Sequence, residues 1–165
     1  MVDSLFEQLS SIETMIEAEQ EIIALGDAAI PLLKTLFDGS ARNEWGVSYR
    51  ELGLPLRCGF EIIMRLGSRA KPLEPYIHVE LPGSEAAARA LRALRELTPP
   101  SVEALADALE GDFNVAREAA FALIACGQDR SPPVESVVER SREARELLET
   151  ARRLPRQQFP SLSSL

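Results

Sequence analysis

The chain has 165 residues, 45 % of them apolar and 27 % charged, with a net charge of −8. That length suits one domain with a core of its own, and the acidic balance argues against nucleic acid and anionic membranes as partners, since both need clustered Lys and Arg. No run approaches the ~18 apolar residues of a membrane span, and the opening MVDSLFEQLSSIE lacks the basic start and apolar stretch of a secretory leader, so a cytoplasmic protein is expected.

The first element expected is a short helix near residues 3–10. It lies in an acidic third: residues 1–33 hold Asp3, Glu7, Glu13, Glu17, Glu19, Glu21 and Asp27 with no Lys or Arg, leaving the rest of the chain near neutral. Glu17 and Glu21 are four apart, on one face of a second helix. That charge is either a solvated face or a surface that attracts a basic partner protein.

From here a pattern recurs. IIALG at 22–26, IMRLG at 63–67, LRELT at 94–98 and LIACG at 123–127 are four versions of one ending. One residue before the last position is apolar (Leu25, Leu66, Leu97, Cys126), four before is apolar (Ile22, Ile63, Leu94, Leu123) and eight before is small (Ala18, Gly59, Ala90, Ala119). Those spacings share one helical face, and small residues there let two helices approach closely. Gly closes three of the four, as a helix end prefers, and the third copy has Thr98 before two prolines. Each ending is followed by a second apolar segment with Pro31, Pro72 or Pro133 near the start of a second helix, except that Pro99 and Pro100 serve the third. The unit is helix, turn, helix, with spacings of 41, 31 and 29 residues. Such pairs bury their apolar stripes only by stacking. The expected fold is all-α: about four helix pairs in a right-handed solenoid over residues 1–154.

Two stretches interrupt the pattern. GSARNEWGVSYRELGLP, 39–55, lengthens the first spacing and holds Arg42, Trp45, Tyr49 and Arg50. Insertions in solenoids fall in loops, often on the binding surface, and Trp, Tyr and Arg dominate interface energetics. Trp45 has two readings here: an exposed anchor for a partner, or a plug folded back over the end of the stack. The second stretch, 134–154, has few apolar positions and Glu–Arg pairs at helical spacing, which predicts one long capping helix; residues 155–165 are expected to be a flexible tail.

DFNVAREAAFALIACG at 112–127, with LGDAAIPLLKTL at 25–36 and LGSRAKPLEPYI at 66–77, resembles the HEAT-repeat family, in particular the short HEAT-like repeats of bacterial phycobilisome lyases. The resemblance covers roughly residues 12–140. It implies that Asp112 opens a helix and that Arg117, with Arg57 at the same register, joins a ladder between units; Ile16 and Ala88 stand there in the other two, so that ladder is partial.

Nothing in the sequence marks a catalytic centre. His78 is the single histidine, and no Cys-x-x-Cys, phosphate-binding loop or nucleophile motif occurs. Cys58 and Cys126 lie in apolar helical patterns, as buried free thiols do. HEAT-like hydroxylases carry repeated His-Glu pairs and HEAT-like DNA glycosylases a basic concave surface; this chain has neither. No cofactor and no metal are expected. The reading is a non-enzymatic protein-binding scaffold, similar to bacterial immunity proteins that block a toxin, with an adaptor and a bilin-lyase-type pigment handler as alternatives. Candidate contact residues are Arg42, Trp45, Tyr49, Arg50, Glu17 and Glu21, with Lys34, Asp38, Glu74, Glu103, Asp107 and Glu110 on the second helices.

Overall fold

The computed structural model describes residues 2–154; the tail expected at 155–165 lies outside them. Among the described residues there are helices and turns, with one isolated β-bridge between Arg42 and Ser48. None of these helices is long and apolar enough to cross a membrane. Helix α1 (Val2–Leu9) is followed by α2 (Met15–Ala24), α3 (Ala29–Phe37) and α4 (Leu54–Leu66). Then come the short α5 (Glu74–Ile77), α6 (Glu85–Ala93), α7 (Pro99–Ala108), α8 (Phe113–Ala125), α9 (Pro132–Arg140) and α10 (Arg142–Arg153).

The helices fall into two layers. In one, α2, α4, α6, α8 and α10 lie side by side, each against the next. In the other, α3, the segment 67–83 and then α7 and α9 follow one another. Each second-layer helix packs on the first-layer helix that follows it: α3 on α4, α5 on α6, α7 on α8, α9 on α10. One continuous apolar core runs between the layers.

The recurring positions explain the stacking. Ile22, Ile63, Leu94 and Leu123 are all buried, as are Ala18, Gly59, Ala90 and Ala119. At Gly59 the approach is closest: a Cβ there would lie 2.9 Å from both Leu36 Cδ2 and Phe37 Cζ. Both belong to α3, so the small residue on α4 sets how near that helix comes. The third recurring position is less uniform, for Leu66 is buried while Leu25 is exposed at the start of the stack.

Three expected boundaries move. Gly26, Gly67 and Gly127 close their helices at positive φ, but in the third unit α6 stops at Ala93 and Arg95 takes positive φ (71°). Thr98 is instead the extended residue that starts α7. After Gly67 the expected second helix is mostly 3-10 turn, with only one short turn of α-helix, because Pro72, Pro75 and Pro82 remove the donors a longer α-helix needs. The long capping helix is broken at Ser141, whose backbone is extended (φ −121°, ψ 111°) and whose Oγ accepts from Ala144 N at 3.2 Å. Val134 and Val137 of α9 and Ala144, Leu148 and Ala151 of α10 are all buried, and the break lets α9 pack on α7 while α10 packs on α8.

Candidate protein-interaction surface

The insertion between α3 and α4 has a buried root and an exposed tip. At the root, Tyr49 is 2 % exposed, stacks on Phe6 of α1 with ring centroids 5.6 Å apart, and donates to Glu7 Oε2 at 3.0 Å. Beside it, Arg50 donates to the Phe37 carbonyl at 2.6 Å and pairs with Glu80 in the segment after α5. Tyr49 is therefore the plug at the end of the stack, and it is not a contact residue: its ring is enclosed by the protein's own core. Arg50 is half-buried and holds the insertion down.

The tip is built differently. Asn43 Oδ1 accepts from Trp45 N at 3.0 Å and Val47 N at 2.9 Å, while Asn43 N donates to the Val47 carbonyl at 2.9 Å. Gly46, at φ +77°, donates to the Asn43 carbonyl at 3.0 Å, and Arg42 Nη1 donates to the Gly46 carbonyl at 2.7 Å. These bonds close a tight turn, and Trp45 stands on it 72 % exposed. The plug reading of Trp45 is thereby overturned. A large apolar side chain carried in water on a pinned backbone has the backbone part of its ordering entropy spent before any partner arrives.

The other candidates separate by burial. Glu17, Glu21, Lys34, Asp38 and Glu103 are exposed. Asp107 and Glu110 are exposed as well, and both face Arg140 of α9, with Glu110 Oε2 2.8 Å from its Nη2. That bond holds the Glu110 carboxyl below its usual range. Glu74 is the correction: it is 2 % exposed and accepts from Thr98 N at 2.7 Å and Thr98 Oγ1 at 2.9 Å. It joins α5 to the start of α7 and offers nothing to a partner. No local sequence signal marks this pairing, because the donors on Thr98 lie 24 residues beyond Glu74.

The ladder between units uses other residues than the resemblance implies. Asp112 does open α8, accepting from Asn114 N at 3.0 Å and Val115 N at 3.5 Å. Across α6 and α8, however, it is Arg89, one residue past the expected register, that faces the buried Glu118, at 3.6 Å, and also Glu85, at 3.2 Å. Arg117 reaches the same Glu118, at 3.5 Å, from its own helix. Arg57 is exposed, on the wall of an open cleft of about 410 Å³ floored by Leu56, Phe60, Ala86 and Val115.

Both thiols are free, Cys58 buried and Cys126 half-buried. Burial pushes Cys58 up to about 12, helped by Glu19, and Cys126 up to about 11, so neither is a nucleophile near neutral pH. Among the described residues no group of three or more His, Cys, Asp or Glu is placed to hold a metal ion.

Ser84 caps α6, and Ala87, Ala88, Ala90, Leu91 and Leu94 are buried along one side of it, with Val102, Leu105 and Ala106 buried on α7. Residues 85–111 match the PBS lyase HEAT-like repeat. The HEAT-like match thus spans both helices and the turn between them, and stops just before Asp112 opens the next unit. No curated protein and no solved structure matches the chain.

Proposed function

We propose that this chain is a non-enzymatic binding protein: four HEAT-like helix pairs in a right-handed stack that hold another protein, in the manner of a bacterial immunity protein occupying a basic toxin or effector in the cytoplasm. An adaptor would use the same surfaces on a different partner. The observation that carries the reading is Trp45, fixed outward at 72 % exposure by a turn whose hydrogen bonds all serve to keep it there. Exposed, preorganised Trp is the side chain that most often anchors a protein interface. HEAT-like architecture supports it too, because stacked repeats offer long surfaces to other chains. The test is capture from native extract read by mass spectrometry, repeated with Trp45→Ala. A stoichiometric protein that is retained by the wild type and lost with Trp45→Ala supports the reading. A bound small molecule with no protein favours a pigment-handling role instead.

A further inference from the structure

We propose that the groove beside α2 seats a basic amphipathic helix of the partner. The inference rests on the protein-binding reading above but uses a different surface. Ile12, just before α2, is 76 % exposed, and Ile16 is 58 % exposed; Ile23 continues the same row, half-buried. Within α2 the spacing of seven puts Ile16 and Ile23 on one helical stripe, and Ile12 lies in the turn that leads into it. This stripe opens onto a shallow groove of about 80 Å³ lined by Ile16, Glu19, Gln20, Ile23 and, from α4, Glu61 and Arg65. Ala18 and Ile22, on the other side of the stripe, are in the core. Ile23 packs against the core on its inner side, and Ile12 and Ile16 are left exposed at the edge of that packed face.

Charge selects the occupant. Glu13, Glu17 and Glu21, in α2 and the turn before it, are all exposed, and none of them forms an ion pair among the described residues. With Glu19 and Glu61 in the groove, Arg65 is the one cation lining it among the described residues. The opposite end of the stack is finished in another way: α10 turns a polar face outward, with Arg142 paired to Glu146 at 2.7 Å and Arg152 to Asp129, before α9, at 2.7 Å. That end is partly paired within itself. The other presents an apolar stripe beside uncompensated carboxylates, the complement of a helix with two or three aliphatic residues flanked by Lys or Arg. A second copy of this chain would bring like charge to the same face, and an anionic membrane would be repelled.

The probe is a set of three labelled helical peptides titrated into the full chain by fluorescence anisotropy. The first has Leu at positions spaced four and seven apart with Lys on the flanks, the second replaces Lys by Glu, and the third replaces Leu by Ser. The Lys/Leu peptide is expected to bind and the other two to bind at least about tenfold more weakly, the scale of one lost anchor. Ile16→Ser and the Glu17→Lys/Glu21→Lys pair are each expected to weaken the Lys/Leu peptide by a similar factor, while Trp45→Ala leaves it unchanged. Circular dichroism checks that each variant is folded. Failure of the Lys/Leu peptide to bind overturns the inference, as does equal binding of the Lys/Ser peptide or indifference to Ile16→Ser. A concentration-dependent dimer abolished by Ile16→Ser overturns it in favour of self-association. If the α2 variants change nothing while Trp45→Ala loses the native partner, the groove inference fails alone and the binding function stands.

Discussion

Glu74 and Thr98 are 24 residues apart, yet the buried carboxylate of Glu74 accepts from both the backbone N–H and the hydroxyl of Thr98, at 2.7 and 2.9 Å. The pair ties the proline-broken second-layer segment to the N-cap residue of α7. Glu74→Ala should cost about 1–3 kcal/mol in urea unfolding, the usual penalty for stranding buried partners. Glu74→Gln, which keeps one acceptor, should cost less. Equal stability of wild type and Glu74→Ala would mean that water replaces the carboxylate without loss.

Tyr49 and Trp45 make opposite forecasts. Tyr49→Ala removes a buried ring and should cost about 3–5 kcal/mol, as other large aromatic truncations do. Tyr49→Phe keeps the ring and loses the hydroxyl that donates to Glu7, for about 0.5–1.5 kcal/mol. Trp45→Ala should leave stability within about 0.5 kcal/mol. Thermal unfolding of the three proteins checks the order.

Gly59→Ala should destabilise, although Ala is the better helix former by about 1 kcal/mol. Its Cβ would meet Leu36 and Phe37 at 2.9 Å, and both side chains are fully buried, so neither has space to yield. Overpacking of this kind costs about 1–3 kcal/mol and exceeds the propensity gain. A raised Tm would show that α3 and α4 are free to move apart.

Arg95→Gly should stabilise. Arg95 holds φ +71°, where a side chain costs about 1–2 kcal/mol. Glycine removes that cost while losing about 0.5–1 kcal/mol more entropy on folding. The net gain expected in chemical unfolding is about 0.5–1 kcal/mol, and a loss would mean that the arginine side chain makes a compensating contact.

Acid should weaken the fold through particular carboxylates. Hydrogen bonds from Lys71 hold Glu96 below its ordinary range, those from Arg140 hold Glu110 below it, and those from Ser40 hold Asp38 below it. A carboxylate depressed in the folded state contributes stability that is fully present above its unfolded pKa and is lost as pH falls through its folded value. Stability should therefore decline below about pH 4, the ordinary carboxylate range. All three groups are at the surface, so salt should shrink the effect. Arg140→Ala should flatten the acid limb by Glu110's share; an unchanged profile would remove that pair from the account.

The helices, their small-residue face and the helix-turn-helix unit were legible in the sequence, because a period of 3.6 and a closing glycine are local signals that survive in one chain. Ile22, Ile63, Leu94 and Leu123 could be named as core for that reason, and they are buried. What tertiary structure alone decided is which polar residues turn inward. Glu74 sits on a helix like Glu103 and Asp107 do, but only Glu74 meets a donor from a distant turn. Tyr49 and Trp45 are four apart in one insertion, and composition does not tell the plug from the exposed ring; Phe6 and Glu7, more than 40 residues earlier in the chain, choose Tyr49. The break at Ser141 and the shift of the ladder to Arg89 have the same origin. Local sequence sets each helix's apolar stripe, whereas the rotation of one helix against its neighbour, which settles who faces whom, is fixed by packing the whole stack at once.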